Sequence, residues 1–412
     1  MPLIEKNAED RNDMALVKDA GDRLARYNVW VLAAAAALAG ANASVVIATS
    51  GLVGRALTGE MKLATIPVLT FVLGTAASAF PAAFSMRRFG RRNGFAGGAL
   101  FGVLAGLLGA TAIVHGSFAL FCLATFSAGA YQAFVVQYRF AAADTATPAY
   151  RPRAIALALG GGVASAFVGT RLVNFTQDLW VPYLFAATYI AQAAVAAIAF
   201  FVLLALRVPP PQERPKRKGR PIGEILADGR LAAAMLLGMV SQGVMNLIMT
   251  STPLAMVGCG LPVTSATDAI QWHIVGMYAP SFITGHLISR FGILRVGLVG
   301  CAIFLVCGMV AEAGISALHF EAALLLLGVG WNFAFLSATA AVTSVTRPEE
   351  RAKVQATNDF VVFGGTAFAA YFSGVLLDVF GWAGIAAAAF PAALLGVALI
   401  LAARRAHRLA LA

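Results

Sequence analysis

Charged residues are scarce in this sequence: only 12% of its 412 residues are Asp, Glu, Lys or Arg, against about 25% in soluble proteins. Hydrophobic residues make up 60% of the chain, and its mean hydropathy is +0.80. Uncharged apolar stretches of about 20 residues recur along nearly the whole chain, and each is long enough to span a bilayer. This pattern excludes an ordinary soluble enzyme and predicts a membrane protein that crosses the bilayer many times.

Motifs for catalysis, metal binding and redox chemistry are also missing. The four cysteines have no C-x-x-C or zinc-type spacing. The chain contains no P-loop and no H-E-x-x-H, and no acidic residue falls near the middle of an apolar stretch. We therefore expect no metal and no cofactor, and a membrane-embedded enzyme is a minor alternative. The basic residues lie in short clusters between apolar stretches and not in one patch, which argues against a nucleic-acid partner.

Hydropathy predicts twelve membrane spans, which we number in chain order. A proline-rich, basic linker divides them into two sets of six. The predicted fold class is therefore an all-α membrane protein with twelve transmembrane helices in two pseudo-symmetric six-helix bundles. The predicted spans are 28–50, 64–85, 95–115, 118–140, 153–174, 181–206, 231–256, 270–289, 296–315, 320–343, 356–378 and 382–403. The corresponding units are a cytoplasmic N-terminal tail at 1–27, a six-helix bundle at 28–206, the linker at 207–230, a six-helix bundle at 231–403 and a cytoplasmic C-terminal tail at 404–412.

The distribution of basic residues predicts the orientation of the chain. The first 27 residues mix acids and bases and lack the apolar core of a cleaved signal peptide. If this tail is cytoplasmic, 27 of the 30 Lys and Arg residues fall in cytoplasmic tails and loops, and only Arg55, Lys62 and Arg171 fall on or toward the other side. Cytoplasmic loops are enriched in Lys and Arg. We therefore expect a multi-pass protein of the inner (plasma) membrane with both termini in the cytoplasm.

The two halves repeat short sequence patterns at corresponding places. The sequence AFSMRRFGRR at 83–92 follows span 2, and GHLISRFG at 285–292 follows span 8. In the same way, the sequence GAYQ at 129–132 in span 4 parallels GWN at 330–332 in span 10. An internal duplication of six spans is typical of secondary transporters, whose two similar halves rock about a central site.

On these residues the chain resembles the major facilitator superfamily of secondary transporters, from about Asn28 to Ala403. The family signature between spans 2 and 3 reads G-x-x-x-D-R-x-G-R-R; positions 88 and 90–92 match it here, whereas Arg87 replaces the aspartate. The resemblance implies transport by alternating access, through a central cavity lined by spans 1, 4, 7 and 10. We expect a monomer whose partners are a small-molecule solute and the lipid bilayer. Whether protons are a third partner is left open by the sequence.

A cytoplasmic gate is a second implication of the resemblance. In the family, the signature acid helps to lock this gate, but both copies of the signature lack it here. We therefore predict a replacement in which Asp144 and Asp359 accept Arg87 and Arg88 across the cytoplasmic face. The matching signature bases, Arg91 and Arg290, belong to the same predicted gate. The alternative is that these are solvated loop charges, which contribute little as pairs.

Polar side chains at mid-membrane depth are the best sequence pointers to a substrate site, because they are costly in lipid and face the bundle interior. The predicted cavity residues lie on the four cavity-lining spans: Asn42, Gln132, Gln242, Asn246, Trp331 and Asn332. The alternative for each is interhelical hydrogen bonding that holds the bundle together. Because burying an unpaired charge is expensive, this uncharged set argues against a highly charged substrate.

His273, near the start of span 8, is a candidate for proton coupling because histidine titrates near neutral pH. The alternative is that His273 and Trp272 form an interfacial pair at the outer headgroup level. Taken together, the sequence predicts a secondary active or facilitative transporter of a small polar or amphipathic solute, not an enzyme. A transporter-like membrane sensor or scaffold that does not transport is the alternative function.

Overall fold

The computed structural model describes residues 2–138, 141–142, 151–207, 220–347 and 349–409. The described chain is almost entirely helical. The helices that lie within these ranges are α1 (Pro2–Thr58), α2 (Ile66–Val114), α3 (Phe118–Val135), α4 (Arg151–Thr176), α5 (Ala186–Leu204), α6 (Ile222–Leu226), α7 (Gly229–Gly258), α8 (Val263–Tyr278), α9 (Ser281–Phe291), α10 (Ile293–Glu312), α11 (Ala317–Val345), α12 (Arg351–Ala387) and α13 (Ala389–Leu409).

Two of these helices each hold more than one span. Helix α2 has 49 residues, about 74 Å at 1.5 Å per residue and hence more than twice the hydrocarbon thickness. Its backbone turns at Gly90, where φ is 79° and ψ is 162°, and this turn separates spans 2 and 3. Helix α12 turns in the same way at Gly381 (φ 64°, ψ −165°), so that span 12 begins there and continues into α13.

The duplication seen in the sequence is also present in the backbone. Gly292, in the second copy of the signature, has φ 85° and ψ 155°, close to the values at Gly90 in the first copy. Both positions lie in a region of φ and ψ that glycine occupies readily and other residues avoid. The signature glycines therefore make equivalent turns in the two halves.

Close helix pairs repeat in the same manner. A Cβ added to Gly129 in span 4 would lie 2.0 Å from the Phe71 carbonyl oxygen in span 2. In the other half, a Cβ added to Gly328 in span 10 would lie 2.4 Å from the His273 carbonyl oxygen in span 8. Backbones approach this closely in membranes only where small residues lie at the contact. Spans 2 and 4 are therefore paired as spans 8 and 10 are.

Several predicted boundaries differ from the structure. The residues of the predicted N-terminal tail are helical, and α1 runs without a break from Pro2 through span 1. Span 6 begins at Ala186, five residues later than predicted, since Pro182 lacks a backbone N–H and the chain turns before the helix starts. Span 8 is longer than predicted and consists of α8 and α9, which meet at Pro280.

Eight helical segments of the described chain are apolar and long enough to cross a membrane by themselves. One of them, Met61–Val114, contains spans 2 and 3. Span 8 falls short by this measure because α8 and α9 have only 16 and 11 residues. The architecture is the predicted twelve-helix fold in two six-helix bundles.

Candidate functional site

An indole and an amide meet halfway through the C-terminal bundle. The Nε1–H of Trp331 in span 10 donates a hydrogen bond to Gln242 Oε1 in span 7 at 2.8 Å. Trp331 lies fourteen residues from either end of α11, and Gln242 lies near the centre of α7. The Trp331 ring also stacks on Phe335, with centroids 5.0 Å apart and planes 12° from parallel. The result is a flat aromatic surface beside an amide at mid-membrane depth.

Further polar groups follow Gln242 along the same face of span 7, because residues four apart lie one above the other on a helix. Asn246 and Thr250 are both buried. Asn246 Oδ1 and Thr250 Oγ1 have no hydrogen-bond partner among the described residues. A buried polar atom without a partner costs free energy, so these atoms are suited to receive a polar ligand. We call Gln242, Asn246, Trp331 and Phe335 the aromatic–amide site.

Gln132 lies at the same depth in the N-terminal bundle. It is fourteen residues beyond Phe118, the first residue of α3, as Trp331 is fourteen residues beyond Ala317, the first residue of α11. Its side chain is half-buried, and Gln132 Oε1 has no partner within the described part of the chain. Gln132 thus keeps a free acceptor atom inside the bundle, as a polar contact with a solute would require.

Asn42 and Asn332 have different surroundings from the other predicted cavity residues. Asn42 Oδ1 accepts a hydrogen bond from Gln192 Nε2 in span 6 at 2.6 Å, and Asn42 Nδ2 donates to the Ala128 carbonyl in span 4 at 3.4 Å. Asn42 therefore joins three spans of one bundle. Sequence reasoning missed Gln192, because span 6 is not among the cavity-lining spans of the family.

Asn332 makes all of its hydrogen bonds to span 8. Its Nδ2 donates to the Met277 carbonyl and to Ser281 Oγ, each at 2.6 Å. Its Oδ1 accepts from Thr284 Oγ1 at 2.6 Å, and the side chain is fully buried. The structure thus favours the interhelical role for Asn42 and Asn332 over the predicted contact with substrate.

The ring of His273 lies inside the bundle. Its side chain is fully buried, whereas that of the neighbouring Trp272 is exposed. His273 Nδ1 lies 2.9 Å from the Leu324 carbonyl oxygen in span 10. Since a carbonyl only accepts, Nδ1 carries the proton, and Nε2 is left with a lone pair that has no partner among the described residues. Burial against span 10 favours a position inside the bundle over the interfacial alternative.

The predicted cytoplasmic gate residues that the structure describes are exposed or half-buried. Arg87 and Arg88 are exposed, and Arg91 and Asp359 are half-buried. The guanidinium carbon of Arg88 lies 5.8 Å from the centroid of the Phe89 ring, and Arg290 has the same relation to Phe291 at 5.4 Å. Asp144 lies outside the described residues. The arginines of the two signature copies thus have matching positions against the next aromatic ring.

The two halves are joined at the other end of the molecule, which carries the loops between spans 1 and 2, 5 and 6, and 7 and 8. We call it the outer end, after the predicted orientation. Three hydrogen bonds between described residues join the halves there: Thr170 Oγ1 to Gln271 Oε1 (2.9 Å), Thr267 Oγ1 to Asn174 Oδ1 (2.5 Å) and the Gly374 N–H to Thr65 Oγ1 (3.2 Å). Sequence reasoning missed these residues, although polar residues four apart on spans 5 and 8 were a usable signal.

Comparison with known proteins places this geometry in a family. The sequence model of the Major Facilitator Superfamily matches residues 29–361. The chain is 43% identical over 381 residues to the riboflavin transporter RfnT of Brucella anthropi, covering 92% of this chain and 96% of that protein. It is also 33% identical to the uncharacterized MFS-type transporter YddS of Bacillus subtilis, covering 82% of each.

Solved structures have the same fold at low sequence identity. The nucleoside transporter NupG superposes with a TM-score of 0.71 at 14% identity, covering 92% of this chain and 99% of NupG. A D-xylose–proton symporter superposes with a TM-score of 0.67 at 12% identity, covering 89% and 96%. The repeated bundles, the matching signature turns and these relatives lead to one conclusion: the chain belongs to the major facilitator superfamily and is a multi-pass membrane transporter of small solutes.

Proposed function

We propose that the chain carries riboflavin, or a flavin with the same ring system, across the inner membrane. The observation that carries this proposal is the 43% identity to a riboflavin transporter along 92% of the chain. The relationship covers both bundles and therefore every span that lines the cavity in the family. Transport is proposed as the whole activity, without a catalytic step.

The chemistry of riboflavin suits the aromatic–amide site. Its isoalloxazine ring is flat and aromatic, so it can stack on the surface of Trp331 and Phe335. The pyrimidine edge of that ring has two carbonyls and one N–H, and the ribityl chain has four hydroxyls. The amides of Gln242 and Asn246 both donate and accept hydrogen bonds and can pair with these groups. Riboflavin has no net charge at neutral pH, so its binding needs no buried ion.

The proposed transport cycle alternates between a conformation closed at the outer end and one closed at the cytoplasmic end. The structure is closed at the outer end by contacts of spans 5 and 8 and of spans 2 and 11. When these contacts break, the halves rotate, and Arg87 and Arg88 approach Asp144 and Asp359 to close the cytoplasmic end. In this proposal both termini are cytoplasmic, the transporter is a monomer, and His273 is the candidate coupling group if protons drive transport.

The direct test is uptake of radiolabelled riboflavin by a bacterium that neither makes nor imports it. Expression of the chain should restore growth at low riboflavin and give saturable uptake, because both depend on a carrier. Unlabelled riboflavin should compete, whereas adenosine and xylose should not. If the protein reaches the membrane and uptake equals that of the empty vector, the riboflavin proposal is wrong, and the sensor or scaffold alternative gains support.

A further inference from the structure

A cavity of about 510 Å³ lies at the outer end, and none of the residues of the aromatic–amide site lines it. Its volume is within the range of small-molecule sites. The N-terminal half supplies residues 52–59 of span 1, Ile113 of span 3 and residues 182–185 of the loop between spans 5 and 6. The C-terminal half supplies Val257 and Val263. The cavity is therefore complete only while the outer ends of the two halves are together.

The lining combines one cation with an apolar wall. Arg55 is exposed, and it has no acidic partner among the described residues. The nearest acid along the chain, Glu60, pairs instead with Lys62 at 3.3 Å. Most of the remaining lining is aliphatic or aromatic. Such a site favours an amphipathic anion, because the apolar body is removed from water while the guanidinium pairs with the charged head.

The loop beside the cavity places it at the level of the lipid headgroups. This loop is held by Phe185, which is buried and whose N–H donates to the Gln177 carbonyl at 2.7 Å. In contrast, Leu179 is 71% exposed, Val181 is 73% exposed, and Trp180 is also exposed. Apolar and aromatic residues held outward at the end of a membrane span are typical of the interface between lipid and water.

We propose that this cavity binds an anionic phospholipid of the outer leaflet, with its phosphate on Arg55 and part of an acyl chain against the apolar wall. Because the two halves build the site together, the bound lipid stabilises the conformation that is closed at the outer end. The proposal does not depend on which solute the protein carries.

Three variants of the purified full-length protein test this proposal. Arg55→Gln removes the charge and keeps the cavity, whereas Ala56→Phe fills the cavity from its exposed rim and keeps the charge. Arg171→Gln is the matched control, because Arg171 is exposed at the outer end of span 5 and does not line the cavity. The probes are dioleoyl phosphatidylglycerol, dioleoyl phosphatidylcholine and decyl phosphate, and the readout is lipid retained per protein by native mass spectrometry.

We expect wild type and Arg171→Gln to retain phosphatidylglycerol in preference to phosphatidylcholine. Arg55→Gln should retain about fivefold less phosphatidylglycerol, because one Lys or Arg near an anionic lipid surface contributes about 1 kcal/mol. Ala56→Phe should also retain less, because its ring takes the space of the acyl chain. Equal retention by all four proteins overturns the proposal. So does a loss in Arg55→Gln without one in Ala56→Phe, which indicates a headgroup at the surface and no occupied cavity. Binding of decyl phosphate without phosphatidylglycerol shows a site for soluble anions and also overturns it.

Discussion

Thr170 and Gln271 form a buried hydrogen bond across the boundary between the two halves, with Thr170 Oγ1 donating to Gln271 Oε1 at 2.9 Å. One turn nearer the outer surface, Thr267 and Asn174 repeat the contact. Residues four apart share one face of a helix. The two contacts therefore form a continuous polar strip between spans 5 and 8, which we call the outer seam.

Gln271→Leu should shift the protein toward the conformation that is open at the outer end. A hydrogen bond between transmembrane helices contributes on average about 0.6 kcal/mol, which corresponds to a change of about threefold in the ratio of the two conformations. The shift is measured by electron-spin distances between labels at the exposed positions 171 and 264, with native cysteines replaced by serine. Longer distances should gain population.

The matched control for this prediction is Thr176→Val. It removes a hydroxyl hydrogen bond of the same length, between Thr176 and Thr188, but this bond lies within the N-terminal half. The control should leave the distance distribution unchanged. Identical distributions in Gln271→Leu and wild type would show that the outer seam does not hold the halves together.

Trp331→Phe should weaken binding of the transported solute. The change keeps an aromatic ring but removes the N–H that is bonded to Gln242 Oε1. Without this N–H the Gln242 amide is no longer held in position for the solute, and the loss of one hydrogen bond to the solute, about 1.4 kcal/mol, raises KM for riboflavin uptake by about tenfold. Trp382→Phe is the control, because Trp382 is also 9% exposed and also donates its indole N–H, to the Ala311 carbonyl away from the site. Equal KM values in the two variants would contradict this assignment.

Asn332→Leu should lower stability and leave affinity unchanged. The substitution removes the hydrogen bonds of Asn332 to the Met277 carbonyl, Ser281 Oγ and Thr284 Oγ1, of which Thr284 Oγ1 keeps its bond to the Pro280 carbonyl. Three interhelical hydrogen bonds contribute about 2 kcal/mol together. The measurement is the thermal midpoint in detergent, with KM for uptake as the second readout. A tenfold rise in KM with an unchanged thermal midpoint would show that Asn332 contacts the solute, as the sequence predicts.

Glu350→Gln should destabilise the C-terminal bundle at neutral pH, at the end opposite the outer end. Arg220 of the linker donates two hydrogen bonds to the Glu350 carboxylate, at 2.6 and 2.9 Å, and Glu350 is 1% exposed. These hydrogen bonds from Arg220 lower the pKa of Glu350 from 4.5 to about 2. Because the pKa is lowered on folding, the stabilisation is complete above pH 4.5 and is lost as the pH falls from 4.5 toward 2.

The difference in thermal midpoint between wild type and Glu350→Gln should thus be constant from pH 6 to pH 8 and should shrink below pH 4.5. Glu349→Gln serves as the control, since Glu349 is an exposed neighbour. It should match wild type throughout. A difference that grows on acidification would have the wrong sign and would exclude the Arg220–Glu350 pair as its cause.

His273→Asn tests the coupling assignment. The Asn amide can still donate to the Leu324 carbonyl, as His273 Nδ1 does, but it does not titrate between pH 6 and pH 8. If His273 couples transport to protons, the ratio of uptake at pH 6 to uptake at pH 8 should fall to one in the variant. Asp268 of span 8 and Glu321 of span 10 are acids on the same two helices, so each is replaced by its amide in parallel. A ratio unchanged by His273→Asn would remove His273 from the coupling mechanism.

The spans were predictable from the sequence because the lipid bilayer allows few backbone conformations. Every backbone polar group in the bilayer must be satisfied within the protein, so a long apolar stretch becomes a helix. The equivalence of Gly90 and Gly292 was also readable, since the same signature demands the same turn. Helix ends near Pro182 and Pro280 were less predictable, because hydropathy does not register where the backbone turns.

The rotation of each helix was not predictable. Trp331 and Asn332 are adjacent, yet one points to span 7 and the other to span 8. Neighbours on a helix differ by about 100° in direction, and a span boundary uncertain by a few residues does not fix that angle. The same sequence rule selects Gln132, Gln242 and Asn42, and only the packing of the bundle gives Asn42 different surroundings.

The indole–amide pair of the aromatic–amide site is built by spans 7 and 10, which belong to one half. If the solute binds to this pair as proposed, it keeps these contacts while the halves rotate and moves together with the C-terminal half. Its exposure to one side or the other is then decided by the movement of the N-terminal half around it. Substitutions on spans 7 and 10 would then change the substrate specificity, whereas substitutions along the outer seam would change the rate of transport. Substrate specificity and transport rate can therefore evolve separately.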